Sequence, residues 1–364
     1  MTLGEKIVGR NERLSGLKFI AAIMVIFSHS FALNCEINKE WLVWITEGQL
    51  TFGSLAVDIF FLASGLLITR SILTSNTNSF SIFLKKRIVR IVPALGCCVM
   101  ICTFVLGPFC TTYKYADYFT NRNTYKYLLN SVMILQHNLP GVFDNNCYES
   151  AVNGALWTLP VEFICYIICY FFCKFKLSDK KVAVWLYGTS MIGWIVFCYL
   201  FTNAVIISIV KACMFFASGA IAYVYKDYIK LNWYLGLLSL SILIVSSMTG
   251  IFNYVFIIFL AYLIIFIVWG LGFDTKKKTP FSIIGKASYS IYLCGFPIQQ
   301  TLIHVFGGKM NCYSNFVFST FFACICGAIL YYLCEKNGTK WQNVVWCKKR
   351  CKLGNKFRLD DFDE

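Results

Sequence analysis

Lys18 and His29 are eleven residues apart in an apolar stretch. At about 100° per residue a helix returns them to nearly the same face, roughly 16 Å apart along its axis. A basic group at the mouth of a helix and a titratable imidazole further in suit a substrate passing between them. Imidazole is the usual general base near neutral pH. The alternative is a histidine bonded inside a helix bundle with no chemistry. Asp58, in "AVDIFFLASGLLITRSIL", must meet a cation or a helix terminus, or orient His29. Ser64 and Gly65 in the same stretch permit close helix approach. Arg87 and Arg90 are three apart and share a helix face just before Pro93. Such a pair can fork onto phosphates or anchor a membrane edge among lipid headgroups. Glu162, in "VNGALWTLPVEF", stands beside Trp157 and Pro160. A partly buried carboxylate there is a second acid/base, a ligand of acceptor hydroxyls, or a partner for Lys211. His137 and His304 are weaker candidates. The chain carries no P-loop, dinucleotide fingerprint or metal motif.

These residues need elements that hold them, and the composition says which. Of 364 residues, 58% are hydrophobic and 14% charged, far from the usage of soluble domains. The apolar residues fall in runs of about 18–25, long enough to cross a bilayer, and in lipid such runs must be helices. The reading is an all-α, polytopic transmembrane bundle of about ten spans. They begin near Leu17, Thr51, Ile91, Ala155, Val182, Ala204, Trp233, Phe252, Phe281 and Asn315. The first is taken as a retained helix and not a signal peptide.

Every second connection is basic. Lys6, Arg10, Arg13 and Lys18, then Lys85 to Arg90, Lys174 to Lys181, Lys226 and Lys230, Lys276 to Lys278 and the tail lie on one side. By the positive-inside rule that side is the cytoplasm, with both termini in it and His29 toward the outer side. The net charge of +15 is then topology and not nucleic-acid binding. One membrane domain, 1–335, is expected, followed by a basic then acidic cytoplasmic tail, 336–364. The segment from about Tyr113 to Ala151 is too long for a plain connector and should be structured. Of the 18 cysteines, most act as small apolar residues. Cys35, Cys110, Cys147 and Cys312 fall on the outer side, where a disulfide can form. The tail pair Cys347 and Cys351 lacks partners for zinc.

Taken in order, the motifs resemble the acyltransferase 3 family of membrane acyltransferases. "RLSGLKFIAAIMVIFSHS" is similar to that family's opening helix, with Lys18 and His29 in its basic and histidine places. "AVDIFFLASGLLITRSIL" matches the second helix, and "FLKKRIVRIVPAL" puts Arg87 and Arg90 in the Arg-x-x-Arg positions. "VNGALWTLPVEF" places Glu162 at the glutamate of a Trp-to-Glu signature. "ASYSIYLCGFPIQQ", which includes Tyr289, resembles the late Ser-Tyr motif. Ser15 stands where aspartate is usual, Lys18 where arginine is commoner, and Gly295 where histidine is frequent.

The resemblance implies transfer of an acyl group, usually acetyl, from acyl-CoA as co-substrate to a hydroxyl of a carbohydrate, free or lipid-linked. The typical acceptor is a bacterial surface or exported glycan such as O-antigen, capsule or exopolysaccharide, at the inner membrane. It implies His29 and Glu162 as the catalytic pair and Lys18, Arg87 and Arg90 as donor-binding residues. Asp58, Ser64, Trp157 and Tyr289 would support them. No tightly bound cofactor is implied, and the expected partners are acyl-CoA, the acceptor and membrane lipid. The rival is a transporter or flippase of lipid-linked sugar or acyl donor, which would use the same buried polar residues as a pathway. The lack of internal repeats weighs against it. A glycan polymerase and a non-catalytic subunit are the remaining alternatives.

Overall fold

The computed structural model describes residues 1–7, 11–75, 79–148, 151–176, 179–249, 251–271 and 279–336. The predicted tail past Lys336, Arg10 and the Lys276 to Lys278 run lie outside them. The principal helices are α1 (Glu12–Leu33), α2 (Phe52–Leu73), α3 (Phe80–Ile101), α4 (Thr158–Lys174) and α5 (Lys180–Leu200). They continue with α6 (Ala204–Val224), α7 (Trp233–Ser247), α8 (Phe252–Ile265), α9 (Ser288–Val305) and α10 (Cys312–Leu330). Eight of them, with their flanking turns, are long and apolar enough to cross a membrane; α7 is shorter, and α9 is not among the eight. The protein is an all-α, polytopic integral membrane protein. Helix α3 starts eleven residues before the expected Ile91, because its basic first turns are helical too, and Arg87 and Arg90 lie within it.

Side-chain caps set the helix starts. Asn11 accepts from the backbone N–H groups of Arg13 (2.9 Å) and Leu14 (3.2 Å) at the head of α1. Thr51 and Ser54 exchange side-chain and backbone bonds at the head of α2. Each satisfies donors that a helix start leaves without an intrahelical partner.

The chain forms two compact units, Met1–Asn78 with Trp157–Gly285, and Ser79–Leu156 with Lys286–Glu364. In the first unit α2 and α6 meet at closest range. A Cβ added to Gly65 would stand 2.0 Å from the Phe216 carbonyl oxygen, and one on Gly219 would stand 2.1 Å from that of Leu62. Small residues let backbones approach where lipid supplies no hydrophobic drive, so the expectation for Gly65 is met. The apolar core includes Ile26, Phe61, Leu62, Leu66 and Phe215, all buried. The short helix Pro280–Ile284 packs on α1, and Gly285 leaves room for the Ser15 carbonyl.

In the second unit α9 packs on α10, with Gly327 against Ile291. The long segment is structured, as expected. It runs through the short helices Tyr115–Thr120 and Arg122–Lys126 and a 3-10 turn, Tyr127–Val132, that packs on α3. Tyr118 donates to the Thr103 carbonyl at 2.8 Å, and the Asn130 amide donates to the carbonyls of Tyr127 and Gln136. The Gln300 amide donates to the carbonyls of Tyr148 and Ala151. Cys110 is a buried free thiol.

Candidate active site

In the first unit the carboxylate of Glu162 is held by hydroxyls. Glu162 enters α4 after a 3-10 turn, Gly154–Trp157, so the half-buried Trp157 stands at the helix entrance. Its Oε1 accepts from Ser64 Oγ on α2 at 2.5 Å and from Tyr166 OH, one turn on in α4, at 2.5 Å. The other oxygen accepts no bond from the described residues, and the side chain is half-buried. A carboxylate with one oxygen pinned and the other available can orient or deprotonate a hydroxyl. The Tyr166 ring is fixed in turn against Phe163 and Phe216, centroids 6.5 and 6.0 Å away.

Lys211 is the partner of Asp58, not of Glu162. Its Nζ lies 3.2 Å from Asp58 Oδ2, with the side chains 12% and 1% exposed. It also sits 5.5 Å from the centre of the Phe256 ring. Asp58 therefore meets a cation across the α2–α6 contact, as its position inside a span requires.

His29 is half-buried on α1, and Lys18 is half-buried near the other end of that helix. The residue beside His29 is fixed from outside the spans. Ser28 Oγ donates to Glu40 Oε2 at 2.7 Å, and the other Glu40 oxygen accepts from the Phe52 N–H at the head of α2. Glu40 is fully buried, and burial pushes its carboxyl above the usual glutamate value, opposed by the bonds from Ser28 and Phe52. Phe27 clusters with Phe31, Trp41 and Phe52, centroids 5.1–5.7 Å away. Trp41 is thus part of this packing, whereas Trp44 is 78% exposed.

The second unit carries the arginines. Arg87 is half-buried with its guanidinium 5.6 Å from the Phe83 ring centre, and Arg90 is exposed. Glu335, on the π-turn that follows α10, is buried, accepts from Ser290 Oγ and lies within electrostatic reach of Arg90. Tyr289 OH donates to the Ile91 carbonyl at 3.1 Å, one residue past Arg90. Tyr292 OH donates to the Ala155 carbonyl at 2.7 Å, and the Asn153 amide donates to the Leu293 carbonyl at 2.9 Å. The late Ser-Tyr motif is thus an organiser of the arginine helix and of the turn before α4. Gly295 is buried; His137 is exposed, and His304 rests near the Phe143 ring, 6.0 Å between centroids.

The candidate residues therefore divide, with Lys18, His29, Asp58, Ser64, Trp157 and Glu162 in the first unit and Arg87, Arg90 and Tyr289 in the second. Three polar residues were not expected. Tyr166 was signalled by its i,i+4 spacing from Glu162. Glu40 and Glu335 gave no local signal, because each is buried by residues distant in sequence or by a loop.

A family model described as an acyltransferase domain matches residues 11–334. The chain belongs to this acyltransferase family. It is 35% identical over 151 residues to the "O-acetyl transferase" of Shigella phage Sf6, covering 42% of each chain. It is 29% identical over 203 residues to "Nodulation protein 10" of Rhizobium leguminosarum bv. viciae, covering 51% of each. The chain thus spans about half or less of the length of these relatives. No solved structure matches this acyltransferase-family chain.

Proposed function

We propose that this acyltransferase-family protein transfers an acetyl or other short acyl group from acyl-CoA to a hydroxyl of a surface or exported glycan. The setting is the bacterial inner membrane, and the acceptor class is O-antigen, capsule or exopolysaccharide. The family match over residues 11–334 carries the reading, and a relative named as an O-acetyl transferase favours acetyl and oxygen.

In this reaction His29 takes the proton of the acceptor hydroxyl as its oxygen attacks the thioester carbonyl carbon. The carbon–sulfur bond then breaks, and the CoA sulfur leaves with the proton returned from the imidazolium. Glu162, pinned through Oε1 by Ser64 and Tyr166, offers Oε2 to a sugar hydroxyl and so orients the acceptor. Trp157 at the entrance of α4 offers a ring on which a sugar can stack. Arg90 and Arg87 grip the CoA phosphates, for which an exposed guanidinium on a basic helix turn is suited, and Lys18 draws in the donor. Asp58, neutralised by Lys211, holds the scaffold.

The test is transfer of label from radiolabelled acetyl-CoA into membrane glycan at matched expression. Wild type should incorporate label, and His29→Ala should lose about 10²–10⁴-fold, the usual worth of a general base. Arg87→Ala should lower incorporation and raise the KM for acetyl-CoA. Equal label in all three proteins would refute these assignments.

A further inference from the structure

Helices α4, α5 and α6 enclose a half-open cavity of about 250 Å³. Its walls include Cys165, Cys169, Phe172, Ala183, Ala217 and Ala220. Two hydroxyls also line it, and both are engaged. Tyr187 OH shares a hydrogen bond with Ser218 Oγ at 2.7 Å, and Ser190 Oγ donates to the Tyr187 carbonyl at 2.8 Å. A bound water needs two to four polar partners, and hydrocarbon needs none. Small side chains line the cavity from both α5 (Ala183) and α6 (Ala217, Ala220), and a Cβ added to Gly188 or Gly193 of α5 would meet nothing within 4 Å, unlike one at Gly65 or Gly219 in the α2–α6 contact. Among the described residues, helix α5 is also the least buried of the eight apolar helices, with 17% of its apolar stretch buried against 22–61% in the others. The cavity is thus a gap within the membrane-spanning part of the fold, walled on one side by a peripheral helix.

Positive charge collects at one end of the gap. Lys174 and Lys176 follow Phe172, and Lys180 and Lys181 stand one turn before Ala183. The three helix ends converge there, since Tyr225 OH, just past α6, donates to the Lys180 carbonyl at 2.5 Å. Lys180 Nζ donates to Tyr228 OH at 3.3 Å, and Lys226 pairs with Asp227 at 3.3 Å. Lys174, Lys176 and Lys181 are exposed, with Asp179 the acid among them. Membrane topology alone accounts for lysines in such a loop, but not for an apolar gap whose lining residues Phe172 and Ala183 lie within a turn of them.

We propose that this cavity seats one acyl chain of an anionic phospholipid, with the phosphate held by Lys174, Lys176 and Lys181. The apolar walls match the chain, and the exposed ammonium groups match the headgroup. The inference rests on the membrane fold and not on the acyl-transfer reading.

The test reconstitutes the full chain in phosphatidylcholine nanodiscs containing a minor fraction of phosphatidylglycerol with a photoreactive acyl chain. Crosslinks are mapped by mass spectrometry, and the matched photoreactive phosphatidylcholine is run in parallel. Wild type should be labelled on α4, α5 and α6, with phosphatidylglycerol preferred. Ala217→Trp fills the gap from α6 and Ala183→Phe fills it from α5. Each should cut labelling there about tenfold, the loss of one decade in affinity, while thermal unfolding shows the variant folded. The second variant covers the case in which the first does not fold. The triple variant Lys174→Ala/Lys176→Ala/Lys181→Ala should abolish the preference over phosphatidylcholine, a change of about tenfold or more for three interfacial charges. Equal labelling by both lipids in wild type, labelling confined to other helices, or undiminished labelling in a folded cavity-filled variant would each overturn the proposal.

Discussion

Asp58 and Glu162 are both carboxylates on spanning helices of the same unit, and they are held in opposite ways. Asp58 is buried and faces an ammonium group at 3.2 Å. Glu162 is half-buried, meets no cation among the described residues, and is pinned by two hydroxyls on a single oxygen. A carboxylate inside a bilayer has a steep cost unless paired or solvated. Asp58 meets that cost with a salt bridge at the tightest helix contact, which uses up its charge. Glu162 meets it with hydroxyl donors and partial exposure, which leaves an oxygen to act. The same residue chemistry is therefore closed in a salt bridge in one place and left with an oxygen unbonded by the described residues in the other.

Breaking the first arrangement should have the largest effect. Lys211→Met strands the Asp58 charge, and losing one partner of a buried pair costs about 3–5 kcal/mol. The thermal unfolding midpoint in detergent should fall sharply. The double variant Asp58→Asn/Lys211→Met should regain most of it, since an uncharged pair of similar volume is tolerated. Gly65→Ala tests the close contact that the pair spans. With a Cβ 2.0 Å from a backbone oxygen, the helices must separate, at about 1–3 kcal/mol, read by the same melt.

Sharpening the second arrangement calls for smaller changes. Tyr166→Phe removes one of two donors to Glu162 and should cost about 1.5 kcal/mol of stability, a hydrogen bond to a charged acceptor. It should also reduce acyl transfer more than it destabilises the fold, because the pinned oxygen loosens. Glu40 extends the comparison to a buried carboxylate outside the spans. Its carboxyl is raised above the ordinary glutamate value by burial. The stability it contributes is therefore fully present below the ordinary value and is lost as pH rises through the raised one. Wild type should lose stability across that window, and Glu40→Gln should flatten the slope while lowering stability overall. Unfolding melts across a pH series check this, and an unchanged slope would contradict it.

Much of this was legible in the sequence, and the limits have physical causes. Apolar runs gave the helices, since a span in lipid must be helical along its whole length. The start of α3 was misplaced because hydropathy sees Lys85 to Arg90 as a loop, while the backbone continues as helix through them. The type and place of Asp58, His29 and Glu162 stood out because buried polar groups in spans are rare. The pairing of Lys211 with Asp58 did not, since they are 153 positions apart and no local period links the two. Glu40 carried no local signal, because its partners Ser28 and Phe52 each lie twelve residues away.

The most direct test of the contrast is acyl transfer itself. Radiolabelled acetyl-CoA would be supplied to membranes carrying wild type, Glu162→Gln, or Asp58→Asn/Lys211→Met at matched folded protein. The neutral double variant should stay within several-fold of wild type while Glu162→Gln loses about 10²-fold or more. Transfer by Glu162→Gln at the wild-type rate, or an equal loss in the double variant, would contradict the proposal of Glu162 as the acceptor-orienting carboxylate and Asp58 as the structural one.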